Sequence, residues 1–219
     1  MVTIAEAVDS IIKRKPFIEG ALSEGLINLS SLARQIKPEI ESKINRPVKE
    51  GAIVMALKRL APTFDVKMNV KIKDVLHHFG DIIVRSNLAD YTFKNSDTLI
   101  TRQSELLQLI SDRKEIFHTI SKGVFETTIV ISDSIRDELL ELFSREELVS
   151  KTENLSSITI KLPKENIKIS GVYYFIFKKI AWEGINILEV ISTTNEFTII
   201  LNDDDVDRAF TVLKNLRQE

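Results

Sequence analysis

A repeat at a fixed distance of 70 residues constrains the fold of this chain more than any other feature of its sequence. Glu126-Thr127-Thr128-Ile129-Val130-Ile131-Ser132-Asp133 aligns with Glu196-Phe197-Thr198-Ile199-Ile200-Leu201-Asn202-Asp203. The register runs on without a gap, with Asp137 meeting Asp207, Leu140 meeting Phe210 and Phe143 meeting Leu213. Backwards, Phe117 meets Ile187, Ile110 meets Ile180 and Leu106 meets Ile176. One offset that holds through a strand, a loop and a helix implies two copies of one supersecondary unit.

The copies predict the order strand, helix, strand, strand, helix. In the second copy the first strand is expected over 157–162 and a helix over 171–182, with Val172, Phe175, Ile176 and Ile180 on one side. Strands over 185–192 and 196–201 follow, joined at Thr193-Thr194-Asn195. Asp203 and Asp204 open the last helix, where carboxylates complement the helix dipole. An antiparallel sheet with both helices on one face is the simplest packing of such a unit.

The second copy resembles the ACT domains, most closely those of aspartate kinases. The resemblance rests on Ser170-Gly171-Val172, on Trp182-Glu183-Gly184-Ile185-Asn186-Ile187, on Ile191-Ser192-Thr193-Thr194 and on the strand that ends in Asp203-Asp204. It implies a ferredoxin-like fold and a homodimer. It also implies an amino-acid ligand flanked by Ser170, Gly171 and Val172 on one side and Gly184, Ile185, Asn186 and Ile187 on the other. The physics of these residues is compatible: a helix N-terminus presents unpaired amides to a carboxylate, and a glycine lets a ligand approach the backbone. Taken alone, Gly184 reads rather as a helix C-cap and Asn186 as a turn residue; it is the Gly171 turn beside them that favours a ligand. The first copy departs from the pattern, with Thr101 and Arg102 at the positions of Gly171 and Val172, and Lys114-Glu115-Ile116 where Gly184-Ile185-Asn186 stand. Its pocket is expected to be lost. The family's final strand is also absent after the last helix, so the open edge calls for a strand lent from 149–155 or 66–72.

The first sixty residues read as helical. Ile4, Val8, Ile11 and Ile12 recur at helical spacing, and a short helix over 16–23 stops at Gly25. Asn28 or Ser30 is placed to cap a helix over 31–36, which Pro38 is expected to interrupt. A further helix over 47–60 should end at Pro62. Val66, Met68, Val70 and Ile72 then alternate with polar residues, which predicts a half-buried strand. Two readings of this region stay open. One is a helix-turn-helix or winged-helix unit that places Lys43, Arg46, Lys49, Lys58 and Arg59 on DNA, with 66–73 in a wing. The other is a helical dimerisation or partner-docking domain, favoured by a connection longer than the ~3–4 residues of the usual motif. The expected fold class is α+β: helical 1–65, connecting 66–80, and two ferredoxin-like βαββα(β) units over 81–155 and 156–219.

Charge is unevenly divided. The first 80 residues carry 13 Lys+Arg and 9 Asp+Glu, and the rest 17 and 23, which suggests different partners for the two parts. No apolar run reaches the ~20 residues of a membrane span. The start lacks the layout of a secretory signal, so a cytoplasmic protein fits. With no cysteine, thiolate nucleophiles and thiolate metal sites are excluded. His77, His78 and His118 form no metal-ligand pattern, and the seven glycines make no phosphate loop. No catalytic residue, metal or cofactor is expected.

Overall fold

The computed structural model describes residues 2–23 and 25–218, less the side chains of 16, 17, 19, 23, 62–71, 73 and 218. The chain divides into two compact units, residues 1–74 with 169–171, and residues 75–168 with 172–219.

The first unit is helical: α1 (Ile4–Ile12), α2 (Pro16–Ser23), α3 (Leu29–Ile44) and the start of α4 (Glu50–His77). A capping box between Thr3 and Glu6 starts α1. The Asn28 side chain accepts the Ser31 amide at 3.0 Å and starts α3. Ala7, Val8, Ile11, Ile12, Leu32, Ala33, Ile36, Ile40, Ile53 and Leu57 are among the side chains of one buried core.

Two sequence expectations fail here. Pro38 does not break α3 but sits inside it. It is exposed, so water can reach the backbone it leaves unpaired. Meanwhile Leu32, Ala33, Ile36 and Ile40 keep one buried stripe running past it, and that burial outweighs the ~3 kcal/mol cost of an interior proline. The second correction is larger. The strand expected at 66–72, and with it the wing over 66–73, is helix, because α4 runs through Pro62 to His77. Ile72, Val75 and Leu76 are all buried, and the steps of three and four from Ile72 are helical. Alternation over a few residues did not outweigh that longer period. The side chains of Val66, Met68 and Val70 lie outside the described residues.

The second unit holds β1 (Ile82–Lys94), α5 (Leu99–Ile110), β2 (His118–Lys122), β3 (Glu126–Ser132), α6 (Arg136–Leu142), β4 (Leu148–Lys161), α7 (Val172–Trp182), β5 (Glu189–Ser192), β6 (Glu196–Asn202) and α8 (Val206–Asn215). Both copies are present, in the order strand, helix, strand, strand, helix. They build one six-stranded antiparallel sheet ordered β2-β3-β1-β4-β6-β5.

The seam between the copies is the β1–β4 ladder, and it answers the question of the missing strand. Leu148 and Ser150 of β4 pair with Phe93 and Thr92, completing the first copy. Ile82–Arg85 of β1 pair with Ser157–Ile160, completing the second. Each copy lends its first strand to the other, so β4 begins at Leu148 rather than at 157. The lender to the second copy is β1, not 149–155 or 66–72.

The ladder turns about Leu88, which faces Leu155. On either side, Asn87 and Asn154 take left-handed conformations with φ of 58° and 57°, and the register shifts between Arg85 and Leu88. Such bulges bend and twist a sheet. The strands therefore repeat at a distance of 67 residues rather than 70. Thr92 bonds Thr128 and Thr159 bonds Thr198. Likewise the Asn95 amide donates to the Phe125 carbonyl at 2.8 Å, as the Leu162 amide does to Asn195 at 2.7 Å. Three extra residues enter between β4 and α7.

The helices cover one face. Ala89, Tyr91, Phe93, Ile129 and Ile131 pack with Leu99, Leu106, Ile110 and Leu139 of α5 and α6. In the other copy Tyr173 and Phe177 of α7 pack on Phe197. The alternate residues Leu88, Val130, Leu155 and Ile200 form a small core on the opposite face, joined by Phe117, Leu188 and Ile191 but by no helix. A flat sheet would hold β2 and β5 roughly 24 Å apart. Phe117, His118 and Thr119 at the start of β2 nevertheless line one cleft with Ile191 of β5, so the sheet curls and its edges approach over its helix-free side.

Candidate functional site

The curl leaves a cleft of about 370 Å³ on the helix-free side. Ile83 and Arg85 of β1, Thr159 of β4, and Glu196 and Thr198 of β6 form its base. Phe117, His118 and Thr119 close one side, and Ile191 and Thr193 the other. Alternation along the strands explains the polarity: Ile158 and Ile160 are fully buried toward the helices, so Thr159 faces the cleft. Thr159 and Thr198 share a hydrogen bond of 2.8 Å. Ser157, two residues back and opposite Arg85, is fully buried, and its hydroxyl has no partner. An Arg85 guanidinium N–H donates to the Glu115 carbonyl at 3.2 Å. Among the described residues neither Arg85 nor Glu196 joins an ion pair.

The residues singled out from the sequence lie elsewhere. Val172 opens α7 and is buried. Ser170 and Gly171 precede it, group with the first unit, and Gly171 has a φ of +93° that favours glycine. Gly184, Ile185, Asn186 and Ile187 follow the other end of α7. Since α7 is 11 residues long, its ends stand about 15 Å apart, too far for one small ligand to bridge. Gly184 has a φ of +69°. Its amide donates to the Ala181 carbonyl at 3.0 Å, and the Ile185 amide donates to Ile180 at 3.3 Å. This is a Schellman cap with Ile185 as its buried apolar residue. Asn186 is exposed, with no hydrogen bond among the described residues, and Ile187 is half-buried.

No family model matches the sequence, and no curated protein is similar to it. Solved structures do share its fold. The chain is similar to the regulatory subunit of aspartate kinase from Thermus thermophilus at 13% identity and a TM-score of 0.50, over 62% of this chain and 95% of that one. It is similar to the aspartokinase alpha and beta subunits at 16% and 0.51, over 64% and 99%. With Clostridium acetobutylicum aspartate kinase the values are 16% and 0.51, over 62% of this chain but 34% of the enzyme. The fold is ACT-like.

The two ACT-like halves differ on their helix-free face. By the 67- and 70-residue correspondences, Thr152 stands where the other half has Arg85, Asp90 where it has Ser157, and Glu189 where it has Thr119. Burial pushes the Asp90 carboxyl up to about 6, and repulsion from Glu189 adds to this, against a weak hydrogen bond from Thr92. Burial raises Glu189 as well. A larger groove of about 560 Å³ runs between α5 and α6, but Arg102 there is already held by Glu105 at 2.7 Å.

In the helical unit Lys43, Arg46, Lys49, Lys58 and Arg59 are all exposed. Lys58 and Arg59 share a stripe of α4 with Gly51 and Met55, and Met55 is 51% exposed. Lys43 is hydrogen-bonded to Ser10, whereas Lys58 and Arg59 have no ion pair among the described residues. Sequence reasoning missed Arg85, Ser157, Thr159 and Thr198. The signal for the three hydroxyl residues was their alternation with isoleucine in the strands; Arg85 had none.

Proposed function

We propose that the chain is a non-catalytic regulatory protein that binds a free amino acid through its ACT-like unit and works as a homodimer. What carries this reading is the mutual completion of the two halves into one curled sheet, in a fold shared with the regulatory subunit of an aspartate kinase. Among the described residues no group of three His, Asp or Glu side chains could hold a metal, and no helix is long and apolar enough to cross a membrane. Ligand binding acts on the helical unit by favouring one state over another, since equal affinity for both shifts nothing.

The output we favour is amino-acid-responsive transcriptional control, with Lys43, Arg46, Lys49, Lys58 and Arg59 meeting DNA phosphates. The exposed Met55 supports a second output, docking on a biosynthetic enzyme without nucleic acid. Lys58→Glu with Arg59→Glu separates the two. For a DNA-binding protein the double variant weakens binding and flattens its salt dependence. For a docking protein no DNA affinity exists to lose. The ligand reading is tested by thermal unfolding of the purified chain with each amino acid in turn. A rise in melting temperature with one or a few supports it, because a ligand of the folded state stabilises that state.

A further inference from the structure

We infer that the ligand is held on the concave, helix-free face of the sheet, as a zwitterion with an uncharged side chain, its carboxylate on Arg85 and its ammonium on Glu196. This rests on the reading of the chain as an amino-acid-binding regulator, and it moves the site from the ends of α7 to the cleft.

The dimensions fit first. At about 370 Å³ the cleft lies within the range of small-ligand sites. Its charges fit next. It presents one guanidinium and one carboxylate, Arg85 and Glu196, and neither is neutralised by another side chain among the described residues. A zwitterion matches such a pair, whereas a simple anion would meet the carboxylate uncompensated. Arg85 has five N–H donors, and the Glu115 carbonyl anchors the group while leaving others free. Hydroxyls supply the remaining polar contacts. In the Thr159–Thr198 pair one O–H is used and the other stays available. The buried Ser157 hydroxyl beside Arg85 lacks a partner, and unsatisfied groups of this kind are uncommon in native proteins. Ile83, Phe117 and Ile191 line the same cleft and suit an uncharged side chain over a charged one.

The other half of the sheet sets the stoichiometry. Its concave side carries Asp90 and Glu189 in place of Ser157 and Thr119, and Thr152 in place of Arg85. A ligand carboxylate is repelled there, so one chain holds one ligand.

The test is thermal unfolding and calorimetric titration of the full chain with each amino acid at about 10 mM, well above a working Kd. It is run on wild type, Arg85→Gln, Arg85→Lys, Glu196→Gln and Asn186→Ala. The expected result is stabilisation by one or a few uncharged amino acids, weakened about tenfold or more by Arg85→Gln. Arg85→Lys, which keeps the charge but loses the fork, restores part of the affinity and so separates lost contact from lost folding. Glu196→Gln weakens binding of the amino acid but not of its deaminated acid, and Asn186→Ala changes nothing. Binding that survives Arg85→Gln but is lost in Asn186→Ala overturns the location and leaves the regulatory reading standing. Binding of charged amino acids alone overturns the ligand class. If no amino acid stabilises the wild type, the amino-acid reading and this inference both fall.

Discussion

Arg85 opposite Ser157 in one half of the sheet corresponds to Thr152 opposite Asp90 in the other. The backbones around these pairs match closely, down to the left-handed asparagines and the hydroxyl pairs on neighbouring strands. Side chains at the base of the concave face do not. One half offers a cation beside an unpartnered hydroxyl; the other holds two carboxylates whose pKa burial raises. The lesson is that the fold is held by the alternating residues under the helices and by the Leu88–Leu155 seam. The open face differs between the halves, and only one of them sets a guanidinium opposite an unpartnered hydroxyl.

The seam gives the largest expected effect. Leu88 and Leu155 are each at most 1% exposed, so truncating either to alanine should cost about 2–4 kcal/mol in denaturant unfolding. The two losses should be nearly equal. A clearly unequal pair would show that the backbone symmetry does not extend to energetics. Next comes the buried carboxylate. The folded-state value of Asp90, about 6, lies above its ordinary 3.8. The native state therefore holds its proton more tightly than the unfolded chain. Its penalty is absent below 3.8, grows as pH rises to about 6 and is full above that. Asp90→Asn should stabilise the protein at neutral pH by about 1–2 kcal/mol and remove the gain that wild type shows on mild acidification. Ser157→Asp should install a smaller version of the same penalty, because Arg85 stands opposite. An equal penalty would mean that the guanidinium does not reach the base of the cleft. The smallest effect belongs to the hydroxyl pairs: Thr92→Val and Thr159→Val should each cost about 1 kcal/mol. If Thr159→Val also weakens ligand binding while Thr92→Val does not, the functional difference between the halves is confirmed at a position where their structures agree.

The repeat was legible because β3, β6 and the helices after them keep one offset. Its extension into β1 and β4 was not, since the offset there is 67 and Asn87-Leu88 does not align with Asn154-Leu155 at an offset of 70. The exchange of edge strands was hidden for a related reason: which strand covers an edge is a long-range choice that local pattern does not record. In the helical unit, Pro38 and the alternation at 66–72 were read as local signals, and the long buried stripes of α3 and α4 overrode both. The sequence marked Gly184 as a position where the backbone turns, and its positive φ agrees; Gly171 was singled out for ligand approach, and its positive φ was not anticipated. At Gly184 that turn comes from ending a helix, whereas the cleft depends on residues from five strands, which no linear motif brings together.

The antiparallel ladder centred on Leu88 and Leu155 has one more consequence. Rotating the sheet by half a turn about that point superposes its strands on themselves, as in a pair of identical subunits joined through their first strands. Here the two copies belong to one covalent chain rather than to two separate molecules. A pair of identical subunits must carry every change twice, and a cavity would then appear or vanish on both sides together. Joined end to end, the copies are released from that rule. One carries Asp90 and Glu189 where its twin carries Ser157 and Thr119, so a single polypeptide acquires a front and a back.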